Sequence, residues 1–152
     1  MEQSQIEGIK KMFDLEGKVA IVTGGAGALG SAIATGLAAY GTDIVLTGRT
    51  VATLEETSAE IKKLGHQVLT IACDTSVQEE VESMVQTVHK TFGKIDILVP
   101  VAGIAKRYPA EEFPAEDFGQ VMDINVKGTF LACQAVGKVM KEQGKGKIIT
   151  IS

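Results

Sequence analysis

Short apolar runs alternate with longer amphipathic stretches along this chain of 152 residues. "KVAIVT" (18–23) is apolar at successive positions, the pattern of a strand buried on both faces. Residues 29–40 then place Leu29, Ile33 and Leu37 at i, i+4 and i+8, one face of a helix, and Gly41 stands where a helix stops. "DIVLTG" (43–48) predicts a second strand. Val51, Leu54, Ile61 and Leu64 predict a helix over 51–64, stopped by Gly65. "QVLTIAC" (67–73) predicts a third strand. Ser76-Val77-Gln78-Glu79 has the form of a capping box opening a helix, whose inner face is Val81, Met84, Val85, Val88 and Phe92 and which Gly93 ends. "KIDILVPVAG" (94–103) predicts a fourth strand, and residues 104–114 a loop with Pro109 and Pro114. A long helix is expected over 115–142, packed through Val121, Ile124, Phe130, Leu131 and Val136. "GKGKIITIS" (144–152) predicts a turn and a fifth strand.

The order β-α-β-α-β-α-β-α-β predicts an α/β fold: a doubly wound parallel sheet with helices on both faces, of the Rossmann type. The expected strand order is 3-2-1-4-5, with a ligand crevice at the switch between strands 1 and 4. No repeat or linker divides residues 1–152, which read as one domain. Ile6, Ile9, Met12 and Phe13 have loose helical spacing, so residues 1–14 read as a short amphipathic arm.

Composition narrows the partners. With 45% apolar and 22% charged residues the chain is an ordinary globular one, not a disordered one. A net charge of -4 implies no basic face and argues against a nucleic-acid partner. No run approaches the ~20 apolar residues of a membrane span, and the charged N-terminus is no signal peptide. The expectation is a soluble, cytoplasmic protein with no membrane partner. Cys73 and Cys133 lie far apart and outside any C-x-x-C, as two reduced, buried thiols would. His66 and His89 have no ligand spacing, so no metal site is expected.

The chemistry concentrates in "KVAIVTGGAGALG" (18–30), a glycine-rich turn from strand into helix. Such a turn faces its backbone N–H groups and the helix dipole toward an anion, and glycine lets the chain approach it closely. Two registers fit. Gly25, Gly27 and Gly30 make G-x-G-x-x-G; Thr23, Gly24 and Gly30 make T-G-x-x-x-G-x-G with Ala28 in place of a glycine. In the first pattern the strand runs directly into its first glycine, and an acidic residue follows about 20 residues on. Here Thr23 and Gly24 intervene, and Gly48-Arg49 stands where the acid would be. The second register fits better.

"GKVAIVTGG", "VLTGR", "CDTS", "DILVPVAGI", "DINVKGTF" and "GKIITIS" occur in the order and spacing of the short-chain dehydrogenase/reductase family, which the chain resembles from about residue 15 to 152. The resemblance implies an NAD(P)-dependent oxidoreductase interconverting a secondary alcohol and a ketone, with a small-molecule substrate and, at full length, a homo-oligomer. "FDLEGKVAIVTGG" and "VLTGR" look like members acting on sugar acids and polyols. It also implies that Thr23, Gly24, Gly25, Ala26, Gly27, Ala28, Leu29 and Gly30 wrap the cofactor pyrophosphate. Asp74 would contact the adenine edge, Ala102 and Gly103 would end the family's N-N-A-G, and Asn125 would be the asparagine of its catalytic tetrad. Gly48 offers no carboxylate to repel a 2'-phosphate and Arg49 can pair with one, so NADP is favoured over NAD.

The chain departs from the family at Ala28, whose methyl crowds the phosphate approach, and at Pro100 and Val101, where two asparagines normally tie strand 4 to the cofactor loop. The family serine would fall at the position after Ser152, with the Tyr-x-x-x-Lys beyond. The expectation is therefore five of seven strands, truncated at the C-terminus, inactive alone, with a bare edge strand prone to self-association. The alternative is a non-catalytic dinucleotide-binding module.

Overall fold

A computed structural model describes residue 8 and residues 12–151. Ile6 and Ile9 of the expected arm lie outside the described residues, while Met12 and Phe13 are exposed. The strands are β1 (Val19–Thr23), β2 (Asp43–Gly48), β3 (Val68–Ala72), β4 (Ile97–Pro100) and β5 (Lys147–Ile148). They form one parallel sheet in the order β3-β2-β1-β4-β5. Val19 to Val22 of β1 are buried throughout because helices cover both faces of the sheet.

The helices are α1 (Ala28–Ala39), α2 (Val51–Lys63), α3 (Gln78–Phe92), α4 (Ala115–Met122) and α5 (Thr129–Gln143). One core joins α3 and α5 to the sheet through Val81, Met84, Val88, Leu131 and Val136. The other joins α1 and α2 to it through Ala34, Ala38, Leu54 and Ile61.

Several sequence expectations are corrected here. The buried stripe of α1 is Gly30, Ala34 and Ala38, one position on from the apolar triad; Leu29 is exposed, and Ile33 and Leu37 are half-buried at the flanks. Small residues let this helix lie close on the sheet, which leaves the larger side chains beside the contact. Val51 and Leu64 of the second helix are exposed, and Thr57 and Ser58 are buried instead. Phe130 is exposed as well, and Cys133 is only partly buried.

The Ser76–Glu79 capping box does not form. Val77 is the N-cap of α3, Asp74 Oδ1 accepts from the backbone and hydroxyl of Ser76, and Glu80 reaches back to the Asp74 N–H at 2.7 Å. The expected helix over 115–142 is interrupted by a π-helical segment, Asp123–Gly128.

Pro100 explains the shortness of β5. In a parallel ladder a residue's N–H and C=O face the same neighbour, and successive residues alternate. Leu98 C=O accepts from Ile149 N–H at 2.9 Å, so Leu98 and Pro100 both face β5. Proline has no N–H to give, and the ladder ends at Ile148. Toward β1, Pro100 still pairs with Thr23.

Candidate functional site

The turn after β1 is shaped by two glycines. Gly24 has a left-handed φ of 67°, and a Cβ there would lie 2.9 Å from Ala102 Cα. A Cβ on Gly30 would lie 2.2 Å from the Gly24 carbonyl oxygen. Gly24 belongs only to the T-G-x-x-x-G-x-G register, and it is the residue that makes the sharp turn.

Gly27 is the N-cap of α1, and Ser31 N–H donates to its carbonyl at 2.8 Å. Among the described residues no side chain caps the N–H groups of Ala28, Leu29 and Gly30, which stay available to an anion at the positive end of the helix dipole.

A cavity of about 480 Å³ opens at the carboxyl ends of the strands, where β1 parts from β4. Of the residues singled out from the sequence, Gly24, Ala26, Gly27, Ala28, Leu29, Gly30, Arg49, Asp74, Ala102 and Gly103 line it. Thr23, Gly25 and Asn125 do not. Thr23 and Gly25 are buried behind its wall, and a Cβ on Gly25 would meet Leu46 Cδ2 at 2.8 Å.

Thr23 supplies the tie that the two missing asparagines left in question. Its Oγ1 accepts from both Val101 N–H and Ala102 N–H, each at 3.0 Å. The bond runs from side chain to backbone, so it does not depend on what residues 100 and 101 carry.

Asn125 sits inside the π-helical segment. Its Oδ1 accepts from Ile104 N–H and its Nδ2 donates to Ile104 C=O, both at 2.9 Å. This paired contact fixes the chain just beyond β4 against the segment. The Thr129 hydroxyl donates to the Asn125 carbonyl at 2.8 Å. A π turn widens the helix and re-aims the residue within it.

At the other end of the cavity, hydrogen bonds from Ser76 hold the Asp74 carboxyl below the usual aspartate range, with Arg49 and Lys127 adding to the effect. Burial, then Glu80 and Asp74, push the Cys73 thiol up to about 11, so it stays protonated near neutrality. Cys73 and Ile124, expected only as a buried thiol and a helix-packing residue, also line the cavity, as do Thr50, Thr53, Thr75 and Ile104, to which the sequence reading gave no site role. Thr50 and Thr53 had a signal, since they follow Arg49 into the first turn of α2. The others carried none, because only the sheet brings their loops together.

Comparison with known proteins gives the same frame. The sequence model of the family described as short chain dehydrogenase matches residues 18–152. A D-threitol dehydrogenase of Mycolicibacterium smegmatis is 39% identical over all of this chain and 58% of its own length. A gluconate 5-dehydrogenase of Gluconobacter oxydans is 37% identical over 92% of this chain and 55% of its own. Among solved structures, an NAD+-bound xylitol dehydrogenase superposes with a TM-score of 0.87 at 37% identity, over 89% of this chain and 52% of that one. A metagenomic short-chain oxidoreductase in complex with NADP does so with a TM-score of 0.86 at 32% identity, over 91% and 63%. The chain thus spans a little over half the length of the curated relatives it matches. No helix among the described residues is long and apolar enough to cross a membrane.

Proposed function

This chain belongs to the short-chain dehydrogenase family, and on that premise we propose that it holds a nicotinamide dinucleotide, NADP ahead of NAD, for an oxidoreductase. The observation that carries the reading is one cavity lined by the uncapped start of α1, by Arg49 and by Asp74. In it the α1 N–H groups take the pyrophosphate and Asp74 meets the adenine edge. Arg49, with no carboxylate beside it at Gly48, takes a 2'-phosphate through two parallel N–H bonds. Bound there, the cofactor supplies hydride transfer between a secondary alcohol and a ketone. Asn125 holds Ile104 and with it the wall on the β4 side.

The substrate class we propose for the whole protein is a polyol or sugar acid, in line with the names of the relatives above. The reading of a non-catalytic dinucleotide-binding module has one observation in its favour, the Ala28 methyl on the cavity wall. For the assembly we propose a homo-oligomer in which the exposed Phe118, Met122, Val126 and Phe130, four residues apart along α4, the π segment and α5, face a second copy. Sedimentation of Phe118→Ser/Phe130→Ser against the parent tests this.

Titration with NADPH and NADH tests the cofactor. NADPH is expected to bind more tightly, and Arg49→Gln to remove roughly tenfold or more of that advantage while sparing NADH. Binding of neither nucleotide overturns the reading.

A further inference from the structure

One carboxylate pins the loop between β4 and α4. Asp117, in the first turn of α4, accepts from Lys106 Nζ on Oδ1 at 2.5 Å and from the Tyr108 hydroxyl on Oδ2 at 2.7 Å. Both of its oxygens are thereby committed to the loop. Two residues before Lys106, Ile104 is held by the Asn125 amide. The loop is tied at alternate residues, 104, 106 and 108. An aromatic stack reinforces the outer tie: Tyr108 stands edge-on to Phe113 at 5.1 Å between centroids, and Phe113 edge-on to Phe118 at 6.4 Å.

The placement of these ties matters. In a doubly wound sheet the dinucleotide crosses the crevice at the switch point, with its adenosine half over β2 and its other half over β4. Gly103 and Ile104, at the start of the pinned loop, line the cavity on that β4 side. Arg49 follows β2 and Asp74 follows β3, whereas Asp117 and the loop it holds follow β4, across the switch point from both.

We propose that Asp117 is a positioning residue: by holding Lys106 and Tyr108 it sets the β4–α4 loop as the wall against which the nicotinamide half of the dinucleotide lies. This rests on the dinucleotide reading above. Lys106 and Asp117 are both partly shielded, which keeps their pair from being fully screened. The hydrogen bond to Asp117 also holds the Tyr108 phenol above its ordinary range.

The test compares NADPH with 2'-phospho-ADP-ribose, which lacks only the nicotinamide. In Asp117→Ala, NADPH affinity is expected to fall by about fivefold or more while that for 2'-phospho-ADP-ribose changes by less than about twofold. A role in general stability would weaken both alike. Equal weakening of both ligands, or no change in either, overturns the proposal. A parent chain that binds neither ligand overturns the dinucleotide reading itself.

A second measurement covers an alanine variant that fails to fold. The chain has two tyrosines, so Tyr40→Phe leaves Tyr108 as the sole phenol. Its ultraviolet titration midpoint is expected to be high, and to move down in Asp117→Asn. An unmoved midpoint means that Asp117 does not hold Tyr108, and the proposal falls.

Discussion

Gly30 lies directly under the carbonyl of Gly24, close enough that a Cβ on Gly30 would stand 2.2 Å from that oxygen. The contact locks the first turn of α1 onto the bend that leaves β1. It leads to a contrast within one helix. Gly30→Ala must push the backbone of the bend and is expected to cost roughly 2–3 kcal/mol. Gly36→Ala, where a Cβ meets nothing within 4 Å, is expected to stabilise by about 0.5–1 kcal/mol. Urea unfolding of the two variants checks both signs.

The hydroxyl of Thr23 serves two amides at once. Thr23→Val keeps the shape and removes the acceptor, leaving Val101 N–H and Ala102 N–H unpaired. The expected loss is about 1–3 kcal/mol, with faster hydrogen exchange at those two amides; Thr23→Ser should restore most of it. Unchanged exchange in the valine variant would contradict the tie.

Restoring a donor at position 100 should lengthen β5. Pro100→Val supplies an N–H facing Ile149 C=O, by the alternation set at Leu98. In that variant the amide gained at position 100 is expected to be protected from hydrogen exchange, with no change at Thr23 on the β1 side. Rapid exchange there would show that something other than the missing donor ends the ladder.

Ala28 lines the cavity at the first position of α1. Its methyl stands where the T-G-x-x-x-G-x-G pattern has none. Ala28→Gly is expected to tighten NADPH binding by roughly threefold, a modest gain because glycine also loosens the helix start. Calorimetric titration decides it, and weaker binding would show that the methyl does not obstruct.

The acid limb of stability should carry a contribution from Asp74. Ser76 donates two hydrogen bonds to its carboxylate, so its folded pKa lies below the unfolded value of about 3.9. A depressed carboxyl stabilises the fold above the unfolded pKa, and that stability is lost as pH falls through the folded one. Asp74→Asn should therefore lower the melting temperature most in the neutral region and flatten its decline below about pH 4, where parent and variant converge. An acid limb identical to the parent's would rule the contribution out.

Much of the frame was written in local pattern. Apolar strands, amphipathic helices and terminal glycines predicted the element order, and the doubly wound pattern with its switch point then predicted the strand order that the sheet adopts. Gly93 and Gly144 do end their helices in the left-handed conformation. The family followed from spaced motifs, as did ten of the residues that meet at the cavity.

What the sequence could not decide was how close the elements lie and which groups reach across between them. Helical period located an apolar face on α1 but not the neighbouring stripe of Gly30, Ala34 and Ala38 that touches the sheet, because closeness rewards small side chains over large ones. The capping box at Ser76 gives way to Asp74 and Glu80: the Ser76 hydroxyl and N–H both turn back to the Asp74 carboxylate, and Glu80 accepts from the Asp74 N–H, in the turn that leaves β3. Thr23 to Val101 joins segments that only the order of the strands makes neighbours, and Asn125 to Ile104 and Asp117 to Tyr108 close up the connection that follows β4, which helical period and turn residues do not foretell. A hydrogen bond forms only within about 3 Å and in line, a condition on position in space that no one-dimensional pattern encodes.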